Sequence, residues 1–467
     1  MLKQTNHCSI KRKTSSYTED KKLSKEKKTN NLNFLRLAFS IFARHKNESN
    51  VYKVYKITIS MLLMLLLACI PTQEILSQSD SDSTLLAYFQ KEELPITQAN
   101  QVTLLTRGEY KFEDLFEAIK QAHHHIHLEY FNFRNDSIAN ALFDLLAEKA
   151  ADGVEVRAMF DAFGNSSNNR PLKKKHLKEI HKKGIEIVKF DPIRFPWINH
   201  AWSRDHRKIV VIDGVVGYTG GMNIADYYIH GLPEIGEWRD IHIRIEGNAV
   251  RYLQSIFLDM WNKETGQHIG GPEYFPNFQE PASAIAEPIV IVDRKPNETP
   301  SSIRDAYSVA IESAEKKIQI INPYFVPTKG IRKSIKKALK KGTEVEIMIP
   351  AVSDIAFTPD ASFYIGHKLM KKGAKVYLFN GGFHHSKVMM IDSTHCTVGT
   401  ANLNSRSLRY DYETNAFIFH PHTTNQLIDL FEEDKLNSTQ ITPELWKERS
   451  AWKKFVGWLG NLLTPFL

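Results

Sequence analysis

The chain is short of three things. Cysteine is scarce: Cys8, Cys69 and Cys396 are the three in 467 residues, too few for a disulfide framework. Cys396 falls in an apolar strand pattern and reads as core. Long apolar runs are also scarce. The best candidate, 57–70 (I-T-I-S-M-L-L-M-L-L-L-A-C-I), has fourteen residues, against the ~20 that a membrane-spanning helix needs. Finally, the body lacks a charge excess. Residues 1–56 hold 14 Lys/Arg and 4 Asp/Glu, leaving 47 basic and 49 acidic residues beyond them, so the overall +8 belongs to the leader and the remainder carries −2. A nucleic-acid enzyme shows its positive charge on the working domain, and this one does not.

The hydrophobic fraction of 42 % suits a globular body with a sizeable core. The basic leader 1–56 is Lys-, Ser- and Thr-rich, with a short apolar patch at 34–42 broken by Arg36. Segment 57–70 follows Lys53 and Lys56. A basic flank, a short apolar run and a small residue near its end describe a secretion signal, and Leu66-Leu67-Ala68-Cys69 is similar to a lipoprotein signal that would lipidate Cys69. A retained membrane anchor and a buried helix are the alternatives. The first reading carries the corollary that translation starts near Val51 or Met61. Residues 71–100 are expected to be a linker.

Two distant stretches share one grammar. At 204–223 the chain reads R-D-H-R-K-I-V-V-I-D-G-V-V-G-Y-T-G-G-M-N; at 385–402 it reads H-S-K-V-M-M-I-D-S-T-H-C-T-V-G-T-A-N. Each contains H-x-K-x4-D: His206, Lys208 and Asp213, then His385, Lys387 and Asp392. In both, six residues separate the Asp from a Gly (Gly220, Gly399), and an Asn follows three further on (Asn223, Asn402). One such motif arises by chance in roughly one chain in ten to twenty; two with matching tails do not. Both copies are expected to be strands, apolar through the middle and ended by a turn. On a strand, His and Lys two apart face the same way. Two copies facing each other offer a nucleophile, a proton donor and a cationic cradle for phosphate, with no metal required.

The pair resembles the H-K-D signature of the phospholipase D superfamily. The strings W-R-D-I-H-I-R-I-E-G, N-P-Y-F-V-P and G-T-A-N-L-N-S-R-S around it are similar to bacterial cardiolipin synthases, over roughly residues 100–420. The resemblance implies an α/β fold: two tandem phospholipase D-like α-β-α sandwich repeats packed pseudo-symmetrically around one shared active site. It implies phosphatidyl transfer between phosphatidylglycerol molecules through a phosphohistidine, without cofactor, at a bacterial cell membrane, with a phospholipid substrate and neither nucleic acid nor an obligate protein partner. It assigns His206 as nucleophile, although the residues alone are symmetric, and His385 as acid and then base. Lys208, Lys387, Asn223 and Asn402 are expected on the phosphate oxygens. Asp213 and Asp392 complete the signature and are read as structural, holding their turns. Asp240 and Glu413, 34 and 28 residues beyond the histidines of their own halves, stand where the family has its histidine-orienting carboxylates. Asn404 departs from the family, which has Asp there. Lipid hydrolysis, a nucleic-acid phosphodiesterase and a non-catalytic relic are the competing readings.

The rest of the pattern supports a duplication. Helix and strand patterns at 112–122, 126–131, 141–151 and 154–160 return at 303–314, 318–325, 329–341 and 345–349, with offsets of 192, 189 and 179 residues at the isoleucine pair Ile119 and Ile311, the glycines Gly153 and Gly342, and the motif histidines. Alternating helix and strand argues for a sheet covered by helices. The expected domains are 101–278 and 289–440, joined by a linker at 279–288, with an amphipathic helix at 441–467. In that helix Trp452, Phe455, Val456, Leu459, Leu462 and Leu463 share a face suited to a bilayer. Residues 170–183 suggest a basic surface helix. His123, His124, His125 and His127 have no carboxylate or thiol partner in the pattern, so no metal site is expected. Phe195, Pro196, Trp197, Ile198 and Trp202 suit either loop packing or an apolar lip for lipid chains.

Overall fold

The computed structural model describes residues 80–192, 202–277 and 287–466. The leader, segment 57–70 with Cys69, the apolar stretch 195–198 and most of the expected linker 279–288 lie outside the described residues.

The first half contributes strands β1 (Asn100–Leu105), β2 (His125–Tyr130), β3 (Glu155–Asp161), β4 (Glu186–Phe190), β5 (Lys208–Ile212), β6 (Val216–Gly220), β7 (Trp238–Arg239) and β8 (His242–Gly247). The second contributes β9 (Ile289–Arg294), β10 (Lys317–Ile321), β11 (Glu344–Pro350), β12 (Lys375–Phe379), β13 (Phe383–His384), β14 (Val388–Ile391), β15 (His395–Gly399), β16 (Glu413–Ile418) and β17 (Ser438–Gln440). The helices in chain order are α1 (Asp80–Lys91), α2 (Gly108–Lys120), α3 (Ser137–Ala151), α4 (Ala162–Ser167), α5 (Lys174–Lys182), α6 (Tyr227–His230), α7 (Val250–Thr265), α8 (Ser302–Ser313), α9 (Lys329–Lys341), α10 (Thr358–Met370), α11 (Ser405–Arg409), α12 (Pro421–Leu436), α13 (Pro443–Glu448) and α14 (Ala451–Leu462).

The two sheets have the same plan. One runs β1-β8-β6-β5-β2-β3-β4 and the other β17-β12-β11-β10-β14-β15-β16-β9. In each, three strands are parallel (β2-β3-β4, β10-β11-β12) and the motif strand (β5 or β14) pairs antiparallel with the first of them. Strands buried on both faces read as continuous apolar runs, as K-I-V-V-I and V-M-M-I do. One face of each sheet carries its helices. Phe112, Leu115, Leu142 and Leu146 of α2 and α3 cover the first; Ile303, Ile311, Ile331 and Ile335 of α8 and α9 cover the second. The opposite faces meet each other. Ile209, Val211, Ile243 and Ile245 share one core with Val388, Met390, Val398 and Ile418, closed by Leu253 of α7 and Phe431 of α12. Burying these branched side chains contributes about 1.5–3 kcal/mol each, so the halves form one body.

Several expectations need correcting. The expected linker 71–100 contains α1, whose Leu85 and Phe89 are fully buried in the second half's core; Phe89 packs edge-on against Phe417 and Phe419. The apolar run Leu85–Phe89 is short and follows a Ser- and Asp-rich stretch, which makes it a weak signal. Residue 100 already belongs to β1, and Glu287, at the end of the expected interdomain linker, is buried and donates its N–H to Asn100 O at 3.0 Å. The basic helix pattern at 170–183 forms only Lys174–Lys182, beginning after Pro171. The strand expected over 318–325 stops at Ile321, ahead of Pro323. The C-terminal helix is two helices: Thr442 caps α13, and Ser450, extended with ψ 151°, caps α14 anew by accepting from Lys453 N.

Candidate active site

The motif histidines stand just outside the strands expected to hold them. β5 begins at Lys208 and β14 at Val388. His206 and His385 occupy the approach, where their backbones pair with the opposite half. His206 N–H donates to Tyr412 O at 3.0 Å, and His385 N–H donates to Arg239 O at 2.7 Å. Tyr412 precedes Glu413; Arg239 precedes Asp240. The same crossing is repeated by the side chains. His206 Nδ1 lies 3.0 and 3.1 Å from the Glu413 oxygens, and His385 Nδ1 lies 2.6 Å from Asp240 Oδ2. Each carboxylate therefore holds the histidine of the other half, not the one preceding it in its own half. The sequence could not supply that correction, because the crossing is made by the packing of β7 beside β13 and by the bridge between Asp205 and Tyr412. With Nδ1 engaged, Nε2 of His206 is left for chemistry, while Nε2 of His385 is met by Lys387 Nζ at 3.0 Å.

Both rings line one cavity of about 790 Å³, together with Asn223 and Asn402. The amide oxygens of Asn223 and Asn402 are buried without hydrogen-bond partners, an arrangement that costs stability unless a ligand uses the site. Lys208 and Lys387 are buried behind the rings. Lys208 Nζ donates to His206 O at 2.7 Å, and Lys387 Nζ lies 2.9 and 3.0 Å from the His385 nitrogens.

Burial dominates the electrostatics. It lowers Lys387 to about 7 and Lys208 to about 8, against the pull of Asp240 and Glu413. It lowers His206 to about 4, with Glu413 opposing. Burial and then Lys387 hold His385 well below the ordinary imidazole range. The two carboxylates diverge. Burial lifts Asp240 to about 6, whereas Glu413, although equally buried, is held below its ordinary value by His206 and Lys208. Thr400 Oγ1 donates to Glu413, and Ile241 N–H donates to Asp240 at 2.8 Å. Gly221 makes room for this: a Cβ there would sit 2.1 Å from Asp240 Oδ1.

Asp213 and Asp392 do not line the cavity. Each sits at positive φ (52° and 53°) at the end of its motif strand. Asp213 accepts the N–H groups of His123, His124 and His125 at 2.8–2.9 Å; Asp392 accepts those of Glu315, Lys316 and Lys317 at 2.7–2.8 Å. Both tie the start of a neighbouring strand to the motif strand. Asn404 caps α11 by accepting from Ser407 N–H at 2.9 Å, a bond that Asp would make equally. His125 and His127 are buried against Tyr274 and Phe257, and among the described residues no group of three His, Cys, Asp or Glu is placed to hold a metal.

The cavity also exposes residues that the motifs did not identify. Phe131 lies edge-on to His206, and Trp238 and Tyr324 flank His385. Arg406 and Ser407 enter from α11, and Arg134, Asp354 and Ile355 from loops. Tyr324 and Arg406 lie within the quoted N-P-Y-F-V-P and S-R-S strings; Arg134 and Asp354 carried no local signal.

Two sheets duplicated around one cavity, with paired His–Lys sets and crossed carboxylates, make this cavity the candidate active site. The chain belongs to the family described as cardiolipin synthase, phospholipase D-like domain, whose model matches residues 115–261 and 307–435. It is 38 % identical over 375 residues to a cardiolipin synthase of Listeria monocytogenes, covering 80 % of this chain and 76 % of that protein. It is 36 % identical over 379 residues to a cardiolipin synthase of Geobacillus thermodenitrificans, covering 80 % and 74 %. Among solved structures, the fold is similar to a phosphatidylserine synthase of Haemophilus influenzae, with a TM-score of 0.60 and 15 % identity over 82 % of this chain and all of that one.

Proposed function

We propose that this chain is a cardiolipin synthase: it joins two phosphatidylglycerols into cardiolipin and releases glycerol. The observation that supports the reading best is the crossed pair of carboxylate–histidine contacts around one cavity, in a chain so similar to cardiolipin synthases.

Nε2 of neutral His206 attacks the phosphorus of the first phosphatidylglycerol. The bond from phosphorus to the headgroup glycerol oxygen breaks, and His385 gives that oxygen its proton, so glycerol leaves. A hydroxyl of a second phosphatidylglycerol then attacks the phosphatidyl-histidine. His385 takes its proton, and the phosphorus–nitrogen bond to His206 breaks. Ionised Glu413 suits a nucleophile, since it stabilises the positive charge that His206 gains. Asp240, lifted to about 6, suits the partner that must carry a proton. The entering phosphodiester is an anion; its charge favours the cationic forms of Lys208, Lys387 and His385 that burial disfavours. The lysines and the amide groups of Asn223 and Asn402 meet the extra charge of the five-coordinate transition state.

The substrate places the enzyme at a membrane. No described helix is long and apolar enough to cross one; attachment is assigned to segment 57–70, by anchor or by lipidation of Cys69, and to α14, which exposes Trp452, Phe455, Trp458 and Leu462. Neither nucleic acid nor an obligate protein partner enters this reading.

The test is incubation of the purified protein with phosphatidylglycerol vesicles and EDTA, followed by mass spectrometry of the products. Cardiolipin and glycerol in equal amounts are expected. Phosphatidic acid alone would make the enzyme a hydrolase, and cleavage of DNA without lipid turnover would overturn the assignment.

A further inference from the structure

A second cavity, of about 720 Å³, lies on the far side of α11 from the reacting histidines. Its walls carry six cationic side chains: Lys329, Arg332, Lys333 and Lys336 from α9, Lys368 from α10 and Arg409 from α11. Among the described residues, no carboxylate lines it. The α9 residues stand at i, i+3, i+4 and i+7, on one helical face, where like charges repel. Acids are available nearby and are used elsewhere: Glu312 pairs with Lys337 on the adjoining face, at 2.8 Å. Among the described residues, none of the six is in an ion pair. Arg332 is half-buried, bonded to Asn461 Oδ1 at 2.6 Å, and burial lowers its pKa with no carboxylate offsetting it.

Part of the rim of this cavity is apolar and comes from the end of α14 and the turn after it. Leu462 and Pro465 line it. The helix docks on α10 through Gly457 and Gly460, where a Cβ would meet Asp360 O and the Ala361 methyl at 2.6 Å. That small-residue contact turns Trp452, Trp458 and Leu462 outward, 70 %, 46 % and 59 % exposed. A cationic recess beside an uncovered apolar ridge matches an anionic lipid, whose phosphate enters the recess while its chains stay with the ridge.

We propose that this cavity binds the phosphate of an anionic glycerophospholipid in the bilayer, as a site separate from the reacting one. It rests on the reading of the chain as a membrane-surface lipid enzyme and adds where an anionic lipid holds it. The shared helix makes the placement useful: Ser405 and Arg409 of α11 face this cavity, while Arg406 and Ser407 face the active site. A lipid held here sets the active-site mouth against the same leaflet.

Full-length protein would be followed by hydrogen–deuterium exchange with vesicles of phosphatidylcholine alone, with equal parts phosphatidylcholine and phosphatidylglycerol, and with inorganic phosphate in place of vesicles. Turnover of detergent-dispersed phosphatidylglycerol is measured in parallel. Protection of residues 329–341 and 451–462 is expected with the anionic vesicles only. Lys333→Gln with Lys336→Gln should weaken binding to those vesicles by about tenfold or more and leave detergent turnover within about twofold. Arg409→Gln tests the same cavity from α11 should the double variant fold poorly. Equal protection by both vesicles, or protection unchanged by the substitutions, overturns the proposal. Inorganic phosphate protecting 329–341 as well as anionic vesicles do would assign the cavity to a free phosphate instead. Loss of cardiolipin formation in detergent is a different failure, that of the enzymatic reading.

Discussion

His206 and His385 are supplied by matching motifs, yet the two halves hold them differently. The first ring leans on Glu413, which His206 and Lys208 keep below its ordinary value despite burial; its lysine reaches past it to the His206 carbonyl. The second leans on Asp240, which burial lifts to about 6, and its lysine, besides donating to the His385 carbonyl in the same way, also lies 2.9 and 3.0 Å from the ring nitrogens. Nearly identical motifs therefore give two electrostatic environments. Separating the protonation of two matched groups is how one pocket supplies both a nucleophile and an acid.

The largest expected effect comes from removing either ring. His206→Ala and His385→Ala should each lower turnover by ~10⁴-fold or more. The comparison is sharpened by acid-quenched mass spectrometry: a phosphatidyl adduct should sit on His206, and finding it on His385 would reverse the roles. Glu413→Gln and Asp240→Asn should each cost about 10³-fold. A substrate with a nitrophenolate leaving group needs no acid, so it should rescue Asp240→Asn and leave Glu413→Gln impaired. Equal rescue of both would erase the proposed asymmetry.

The pH profile should be bell-shaped. As pH falls toward about 4, His206 gains a proton and loses its nucleophilic lone pair. As pH rises through about 7 and then about 8, Lys387 and Lys208 lose the charges that the proposed mechanism uses on phosphate. Because bound phosphate favours the charged lysines, the basic limb of kcat should lie above that of kcat/KM. Lys387→Arg should move that limb upward, and a limb that stays in place would assign it to another group.

Asp213→Asn and Asp392→Asn should act on stability instead. Each loses a charged acceptor for three backbone N–H groups, so each should destabilise the fold by about 2 kcal/mol while keeping most of the activity. Thermal unfolding checks this, and a loss of turnover without a fall in Tm would place these carboxylates in the chemistry. The smallest effect is expected for Asn404→Asp, which keeps the cap of α11 and should change turnover less than about twofold.

Much of this architecture was legible in the chain. The repeated helix and strand patterns, with glycines 153 and 342 closing equivalent helices, announced a duplicated α/β unit. The two H-x-K-x4-D strings announced the two histidines that line one cavity. Other features were not legible. Helix α1 carries a single short apolar run, Leu85–Phe89, between polar ends, so its pattern resembles a linker, yet Leu85 and Phe89 sit in the second half's core. Ser450, one polar residue in an amphipathic stretch, splits the C-terminal helix by capping a new one. Arg134 and Asp354 reach the cavity from loops whose local sequence carries no periodicity.

By itself the sequence determined which chemical groups are present, how they are spaced along each strand, and that they come in two sets. Covalent spacing and the alternation of strand side chains are local properties, and a local pattern records them. Which carboxylate serves which histidine, and that Asp240 and Glu413 diverge in proton affinity, only the tertiary structure decided. The contacts in question join residues 145 and 207 positions apart, and burial, which sets the shifts of both histidines, both lysines and Asp240, exists only once the two sheets have closed on each other.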